Sequence, residues 1–417
     1  MDRVQRRLLD RVDWDFVGSH FDLNPALHWY PGNFIPELPG ALIDILSKDG
    51  DRVFDPFGGV GTTAIAALTR GRTAVCCDAN PIAVLTSYVT GCLVMLRCHS
   101  PLLLERLFDE LSVSASGVAT SAHALPLVPN SGKDLDNEIE QLTGTHPRDK
   151  VSELIRGAPL AADLERWYSP RTLHQFLDLN QRILAASESS FATLTGAAML
   201  SSISRALSSQ TRSWGHIADR VLPKELVDKN PSGAAEAWIK RIRRRIYLVA
   251  QKAQLPSSRP ALTVIRRDWA SKDDGQHLPK ATLLITSPPY AGAIDYTLAQ
   301  RLSLGLFGYD AAAISKLTSI EMGARRKRFD TDHVSKWADA LCAATSRQLE
   351  YLAPSSTAAF VMPHKDAGRE MGAEKLKQLM DSKGWVLDFE VDRSIRQVKA
   401  RQSWTSIKRE TILVFSR

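Results

Sequence analysis

Cysteine is scarce: Cys76, Cys77, Cys92, Cys98 and Cys342 are the only five in 417 residues. An odd number without CxxC spacing offers neither a disulfide framework nor a zinc site, and the apolar neighbours mark these thiols as small buried hydrophobes. No metal is expected. Long apolar runs are missing too, since the longest, Ala83 to Leu96, falls short of the roughly 18 residues a membrane span requires. The opening "MDRVQRRLLDRVDWDF" is charged throughout and has no apolar stretch like that of a signal peptide, so the expectation is a cytoplasmic protein without a membrane partner. No internal repeat is found.

The remaining composition, 44% hydrophobic and 24% charged, is that of a soluble globular chain. Its length exceeds one ordinary core, which implies either two domains or one large domain with an insertion. A net charge of +7 and a pI near 9.1 suit a polyanionic partner, although such an excess is often only a solvated surface.

"DRVFDPF" (Asp51 to Phe57) and "RTAVCCD" (Arg72 to Asp78) read as short buried strands, with "TTAIAALTRG" between them as a helix stopped by Gly71. Strand, glycine-rich turn, helix and strand make a βαβ unit, hence a parallel sheet and an α/β fold. Further strands are expected at Ala261 to Asp268, Ala281 to Ser287, Thr357 to His364, Gly384 to Arg393 and Glu410 to Arg417. The intervening chain differs. Residues from about Ser112 to Asp134 are rich in Ser, Ala, Pro and Gly and read as a linker or mobile loop. Beyond it, Ser169 and Pro170 open a helix with Leu173, Phe176, Leu177 and Leu184 at helical spacing, and more helix follows through Leu207 and from Ala234 to Gln251. The expected division is a catalytic part, 1–111 and 255–417, interrupted by a mostly helical insertion, 112–254, that either recognises a target or braces the fold.

In "DPFGGVGTT", Gly58, Gly59 and Gly61 follow a strand and open a helix, where glycine lets the backbone turn sharply and approach a ligand. Asp78, at the end of the next strand, stands at the distance at which Rossmann-type units hold a ribose hydroxyl. Asp55 beside the turn would repel a pyrophosphate but favour a cationic ligand. S-adenosylmethionine carries both a sulfonium and an amino group. A second motif, "TSPPY", follows the apolar run Leu283 to Ile285; two prolines force the chain out of its strand in a rigid turn that can hold a hydroxyl and a ring. Both motifs would lie at the carboxyl ends of strands, facing one cleft.

The pair "DPFGGVGTT" and "TSPPY" resembles the cofactor and catalytic motifs of DNA amino-methyltransferases, which methylate exocyclic amines of cytosine or adenine with S-adenosylmethionine. "HWYPGNFIPELPGALI" (His28 to Ile43) is similar to that family's segment over the methionine part of the cofactor, and "RSIRQVKARQSWTSIKRETILVF" to its last strands. The resemblance implies a Rossmann-like methyltransferase sheet. It implies cofactor contacts from His28, Phe34, Asp55, Pro56, Phe57, Gly59, Gly61, Thr62, Asp78 and Asp268, and catalytic roles for Ser287, Pro288, Pro289 and Tyr290. The motif order departs from the common one, because here the glycine motif comes first. The family's position for target recognition therefore does not transfer.

An exocyclic amine is a weak nucleophile, and its hydrogens need acceptors as positive charge develops. The Ser287 hydroxyl and the backbone carbonyls of the turn can accept them, and the Tyr290 ring can stack on a base flipped from duplex DNA. No cysteine follows a proline, so attack on carbon 5 of cytosine is not expected. Serine at the head of the motif resembles the cytosine-N4 branch, and Asp or Asn the adenine branch; N4-cytosine is favoured, with N6-adenine, an RNA base amine and a non-catalytic nucleic-acid binder as alternatives. A restriction or defence protein is a possible partner. Asp268 could accept from the cofactor's adenine or simply cap its strand, and Asp295 and Tyr296 could merely shape the turn. Three basic clusters stand out: Lys240 to Arg245, "RRKR" (Arg325, Arg326, Lys327 and Arg328), and the run Arg393, Arg396, Lys399 and Arg401. The second is the first choice for the DNA backbone, since it follows the catalytic strand.

Overall fold

A computed structural model describes residues 1–17, 27–32, 35–117, 131–187, 189–210, 222–251, 253–271, 277–364, 370–395 and 407–417. Seven strands form one sheet: β1 (Arg52–Asp55), β2 (Thr73–Asp78), β3 (Leu262–Arg266), β4 (Ala281–Thr286), β5 (Leu352–Pro363), β6 (Val386–Ser394) and β7 (Arg409–Ser416). Their spatial order is β3-β2-β1-β4-β5-β7-β6, parallel except for β7, which is antiparallel to both neighbours. All seven coincide with segments expected to be strands, because each is a short apolar run closed by turn residues.

Alternation along each strand divides the core. Val53, Ala74, Cys76, Leu283, Ile285, Val361 and Val414 point to one face, while Phe54, Val75, Cys77, Leu284, Phe360 and Phe415 point to the other. Both faces are covered, which is why the strands read as continuous apolar runs. The first face carries the larger layer, built on the helices Pro81–His99, Pro101–Ser116, Pro170–Ala186, Ser190–Leu207 and Pro231–Ala250 in one continuous core. On the second, Trp269, Trp337, Leu341 and Trp385 pack under the helices His333–Gln348 and Glu370–Ser382.

Three expectations need correction. The Ser- and Ala-rich stretch from Ser112 is still helix as far as Ser116, because Leu104, Leu107, Phe108, Leu111 and Ala115 continue one buried stripe; helix resumes at Ser131, and 118–130 lie outside the described residues. The apolar stretch after Ala83 belongs to a 19-residue helix, Pro81–His99, long and apolar enough to cross a membrane by length and composition. Here 89% of its most apolar window is buried within the protein. Cys98, finally, is exposed and Cys342 half-buried, so only Cys76, Cys77 and Cys92 are core thiols. Ser169 does cap its helix, accepting the Thr172 amide with Pro170 in the first turn.

Candidate active site

Strand order reverses between β1 and β4: β2 and β3 follow on one side, β5 on the other. At such a switch point the connections leave in opposite directions and a crevice opens beyond the carboxyl ends of the strands. The glycine turn leaves β1 there, and the Ser-Pro-Pro turn leaves β4. Between them lies a cleft of about 950 Å³, including the solvent at its mouth. Phe57, Gly59 and Thr62 form its floor, Asp78, Asn80 and Asp268 one wall, and Ser287 and Pro289 another; Tyr30, Tyr296, Glu321 and Met322 complete it.

Each glycine of the turn meets a different demand. A Cβ on Gly58 would sit 2.1 Å from Cys76 Sγ on β2, so the turn could not close against the strand. Gly61 opens the helix Thr62–Leu68 at φ 84°, a left-handed conformation that costs other residues energy. The Gly59 amide donates to Asp78 Oδ2 (3.0 Å) and the Asn80 amide to Oδ1 (2.8 Å), which fixes that carboxylate at the cleft edge. Burial pushes Asp78 up to about 6, and its backbone donors, Asn80 and Gly59 foremost, only partly oppose this. Asp268 on the same wall accepts the Ala270 amide at 2.8 Å.

Asp55 occupies a different place from the one expected. It is 2% exposed and does not line the cleft. Its Oδ1 accepts from the Thr286 hydroxyl (2.7 Å) and the Phe57 amide (3.1 Å), tying β1 to β4 at the switch point, and burial pushes it to about 6. Pro56 also lies beneath the surface, where its carbonyl accepts from Trp269 Nε1 at 2.8 Å. Gly61 packs against the helix Pro81–His99, with Ser87 Cβ 2.9 Å from where its own Cβ would be. These three support the site from below.

The second turn is anchored by side chains from distant strands. Ser287 Oγ stands 3.1 Å from Tyr290 Oη, which in turn lies 2.9 Å from Glu410 Oε1 and 3.1 Å from the Val361 carbonyl. Trp337 Nε1 donates to the Pro289 carbonyl at 2.6 Å, so that carbonyl is already engaged. The buried Pro288 has a carbonyl without a partner among the described residues. Neither Pro288 nor Tyr290 lines the cleft.

Residues 16–88 match the N6_N4_Mtase family, DNA methylase. The matched stretch contains β1, the glycine turn, β2 with Asp78, and the start of the helix Pro81–His99. A domain of this family supports, in general terms, a DNA methyltransferase that uses S-adenosylmethionine. No curated protein matches the chain.

Two aromatic members of the cleft, Tyr30 and Trp269, had no role assigned from the sequence, and Tyr296 was expected only to shape the turn. Tyr30 and Tyr296 stack with ring centroids 5.6 Å apart, and burial first, then nearby carboxylates including Asp78, hold both phenols protonated. Trp269 is clamped beneath the Arg267 guanidinium, 4.5 Å from its ring. The sequence placed Tyr30 inside a segment similar to known methyltransferases, and Trp269 directly after Asp268, yet nothing in the pattern aimed their rings at one space.

His28 lies away from the cleft. The Trp29 carbonyl 2.5 Å from Nδ1 can only accept, so Nδ1 carries the proton, and Nε2 lies 2.7 Å from Ser201 Oγ. Burial lowers its pKa to about 4, which keeps it neutral. Phe34 lies outside the described residues, as do Arg396, Lys399 and Arg401 of the last basic run. "RRKR" forms a 3₁₀ turn, Arg325–Phe329. Arg326 bonds Asp295 (3.1 Å), Glu321 (3.2 Å) and the Thr318 carbonyl, and Lys327 reaches the Glu321 carbonyl (2.9 Å). Since Glu321 also binds the Tyr296 amide, these two brace the cleft wall. Arg328 lies over Phe329, whose ring is 77% exposed. In the first basic cluster, Arg243 pairs with Glu105 and Asp109 of a neighbouring helix.

Proposed function

We propose that the protein is an S-adenosylmethionine-dependent DNA methyltransferase that modifies an exocyclic amine, cytosine N4, in a specific duplex sequence. The observation that carries this reading is the switch-point cleft with a fixed carboxylate, Asp78, at one edge and the hydroxyl of Ser287 at the other. The cradle fits the cofactor's chemistry. Asp78 would accept from ribose hydroxyls, Asp268 from the adenine amine, and the stacked Tyr30 and Tyr296 would wall the methionine end; when bound, the cofactor supplies an electrophilic methyl group.

On the substrate side, Ser287 Oγ accepts an N–H of the target amine, while the Pro289 carbonyl is spent on Trp337 and holds the turn rigid. That acceptor favours the amine as its lone pair turns from the ring and positive charge grows on nitrogen. Extracting the base costs a few kcal/mol, offset by stacking and edge contacts. The Arg325–Phe329 turn, beside the cleft, offers Arg325 and Arg328 to phosphates and Phe329 to a base step. The helices of 131–250 share their core with the sheet, which favours bracing as the insertion's first task. Serine rather than Asp or Asn at position 287 supports cytosine N4, and a restriction or defence system would use such a mark.

The test is incubation with labelled S-adenosylmethionine and mixed-sequence duplex DNA, followed by nucleoside digestion and mass analysis. N4-methylcytosine is expected. N6-methyladenine would reverse the base, label only in structured RNA would change the substrate class, and no label in any nucleic acid would refute the reading.

A further inference from the structure

Hydrogen-bond polarity around Ser287 can be worked out from its neighbours. Arg393 is only a donor; its guanidinium lies 2.7 Å from Glu410 Oε2, and both side chains are buried. Burial raises the Glu410 carboxyl and the Arg393 guanidinium opposes that rise; paired with the cation, its Oε1 accepts from Tyr290, and the Val361 carbonyl is only an acceptor. The Tyr290 hydroxyl touches both, at 2.9 and 3.1 Å, so its single proton is committed to one of them. What Tyr290 offers Ser287, 3.1 Å away, is a lone pair. Ser287 must therefore donate its only proton to Tyr290, which leaves its own lone pairs for the cleft it lines.

We propose that Glu410, held by Arg393 and acting through the Tyr290 hydroxyl, sets Ser287 as an obligate hydrogen-bond acceptor, so that the site admits an amine N–H and rejects a carbonyl oxygen at that position. This rests on the methyltransferase reading above and supplies it with a specificity device: cytosine differs from uracil, and adenine from hypoxanthine, by an amine against a carbonyl. Glu410 and Arg393 are positioning residues, far along the chain on β7 and β6, and Arg393 also donates to the Trp14 carbonyl at 3.0 Å. A carbonyl facing an acceptor-only hydroxyl leaves two acceptors opposed, which a freely rotating serine would relieve.

The experiment uses the full chain and the duplex site mapped by the methylation assay, carrying either the natural target base or its carbonyl counterpart. Wild type is expected to bind the amine duplex roughly tenfold or more tightly than the carbonyl duplex. Tyr290→Phe should erase most of that preference and lower kcat by roughly tenfold, with cofactor affinity kept. In Glu410→Gln, Arg393 draws the amide oxygen and turns the amide N–H toward Tyr290, where it competes with Ser287; a smaller loss in the same direction is expected. On a Ser287→Ala background both substitutions should do nothing further to discrimination or kcat. Additive effects, or unchanged discrimination in Tyr290→Phe, would overturn the relay. Neutron diffraction from the deuterated protein decides it without turnover: a Ser287 deuteron pointing at Tyr290 Oη supports the relay, and one pointing into the cleft refutes it. Absence of any methyl transfer by wild type would remove the methyltransferase reading while the deuteron position still judges the relay.

Discussion

Asp78→Asn separates the cleft's binding role from its structural one. The Asp78 carboxyl is raised from its ordinary 3.8 to about 6, chiefly by burial. At pH 7 that amounts to at most about 3 kcal/mol against the folded state, less whatever the adjoining cleft water returns. Asparagine removes this penalty but presents an N–H₂ to either the Gly59 or the Asn80 amide, forfeiting one charge-assisted hydrogen bond of about 1.5–3 kcal/mol. The two nearly cancel, so the ligand-free variant should melt within a few degrees of wild type at pH 7. Cofactor affinity should nevertheless fall roughly 30- to 100-fold, as ribose hydroxyls lose an ionised acceptor. The pH dependence has a definite sign. A carboxyl raised on folding contributes stability that is full below pH 3.8 and lost as pH rises through about 6, so wild type should weaken across that window and the variant less. Cofactor binding should run the other way, strengthening as Asp78 ionises. Calorimetric titration with S-adenosylmethionine and thermal melts at pH 4, 5, 6 and 7 measure both. A variant strongly destabilised at pH 7 but with unchanged cofactor affinity would refute the assignment.

Asp55→Asn should behave differently: one oxygen, Oδ1, accepts both the Thr286 and Phe57 bonds and survives in asparagine, so stability at pH 7 should hold or rise while cofactor affinity changes less than in Asp78→Asn, by the same two assays. Gly58→Ala should cost about 1–3 kcal/mol in denaturant melts through its overlap with Cys76 Sγ, and Cys76→Ala should restore much of it; equal melting of both variants would remove the overlap as the cause. Within "RRKR" the cations should divide. Arg326→Ala should destabilise by about 2 kcal/mol, leaving Asp295 and Glu321 without their guanidinium, whereas Arg325→Gln with Arg328→Gln should flatten the salt slope of DNA binding by about 2. Trp337→Phe should release the Pro289 carbonyl and lower kcat with little effect on cofactor affinity.

The sequence by itself determined the strands, the β1-to-β2 crossover and the presence of two strand-end motifs. Those features are local: a buried strand shows itself as an apolar run, and Gly58 or the two prolines declare a turn wherever the chain later sits. Which side chains share the cleft was decided only by tertiary pairing. Asp55 and Asp78 look alike as strand-end carboxylates, yet β1 lies beside β4, whose Thr286 draws Asp55 inward, while β2 leaves Asp78 at the rim. His28 stands in a segment resembling a cofactor strap, yet meets Ser201 of the helix Ser190–Leu207. Arg326 and Arg328 are two residues apart, and only the fold brings Asp295 and Glu321 to one of them. Tyr290 joins Ser287 to Glu410, some 120 positions later, because β7 runs back antiparallel to β5. Charge and hydroxyl groups carry no label of the partner they will find; the sheet order supplies it.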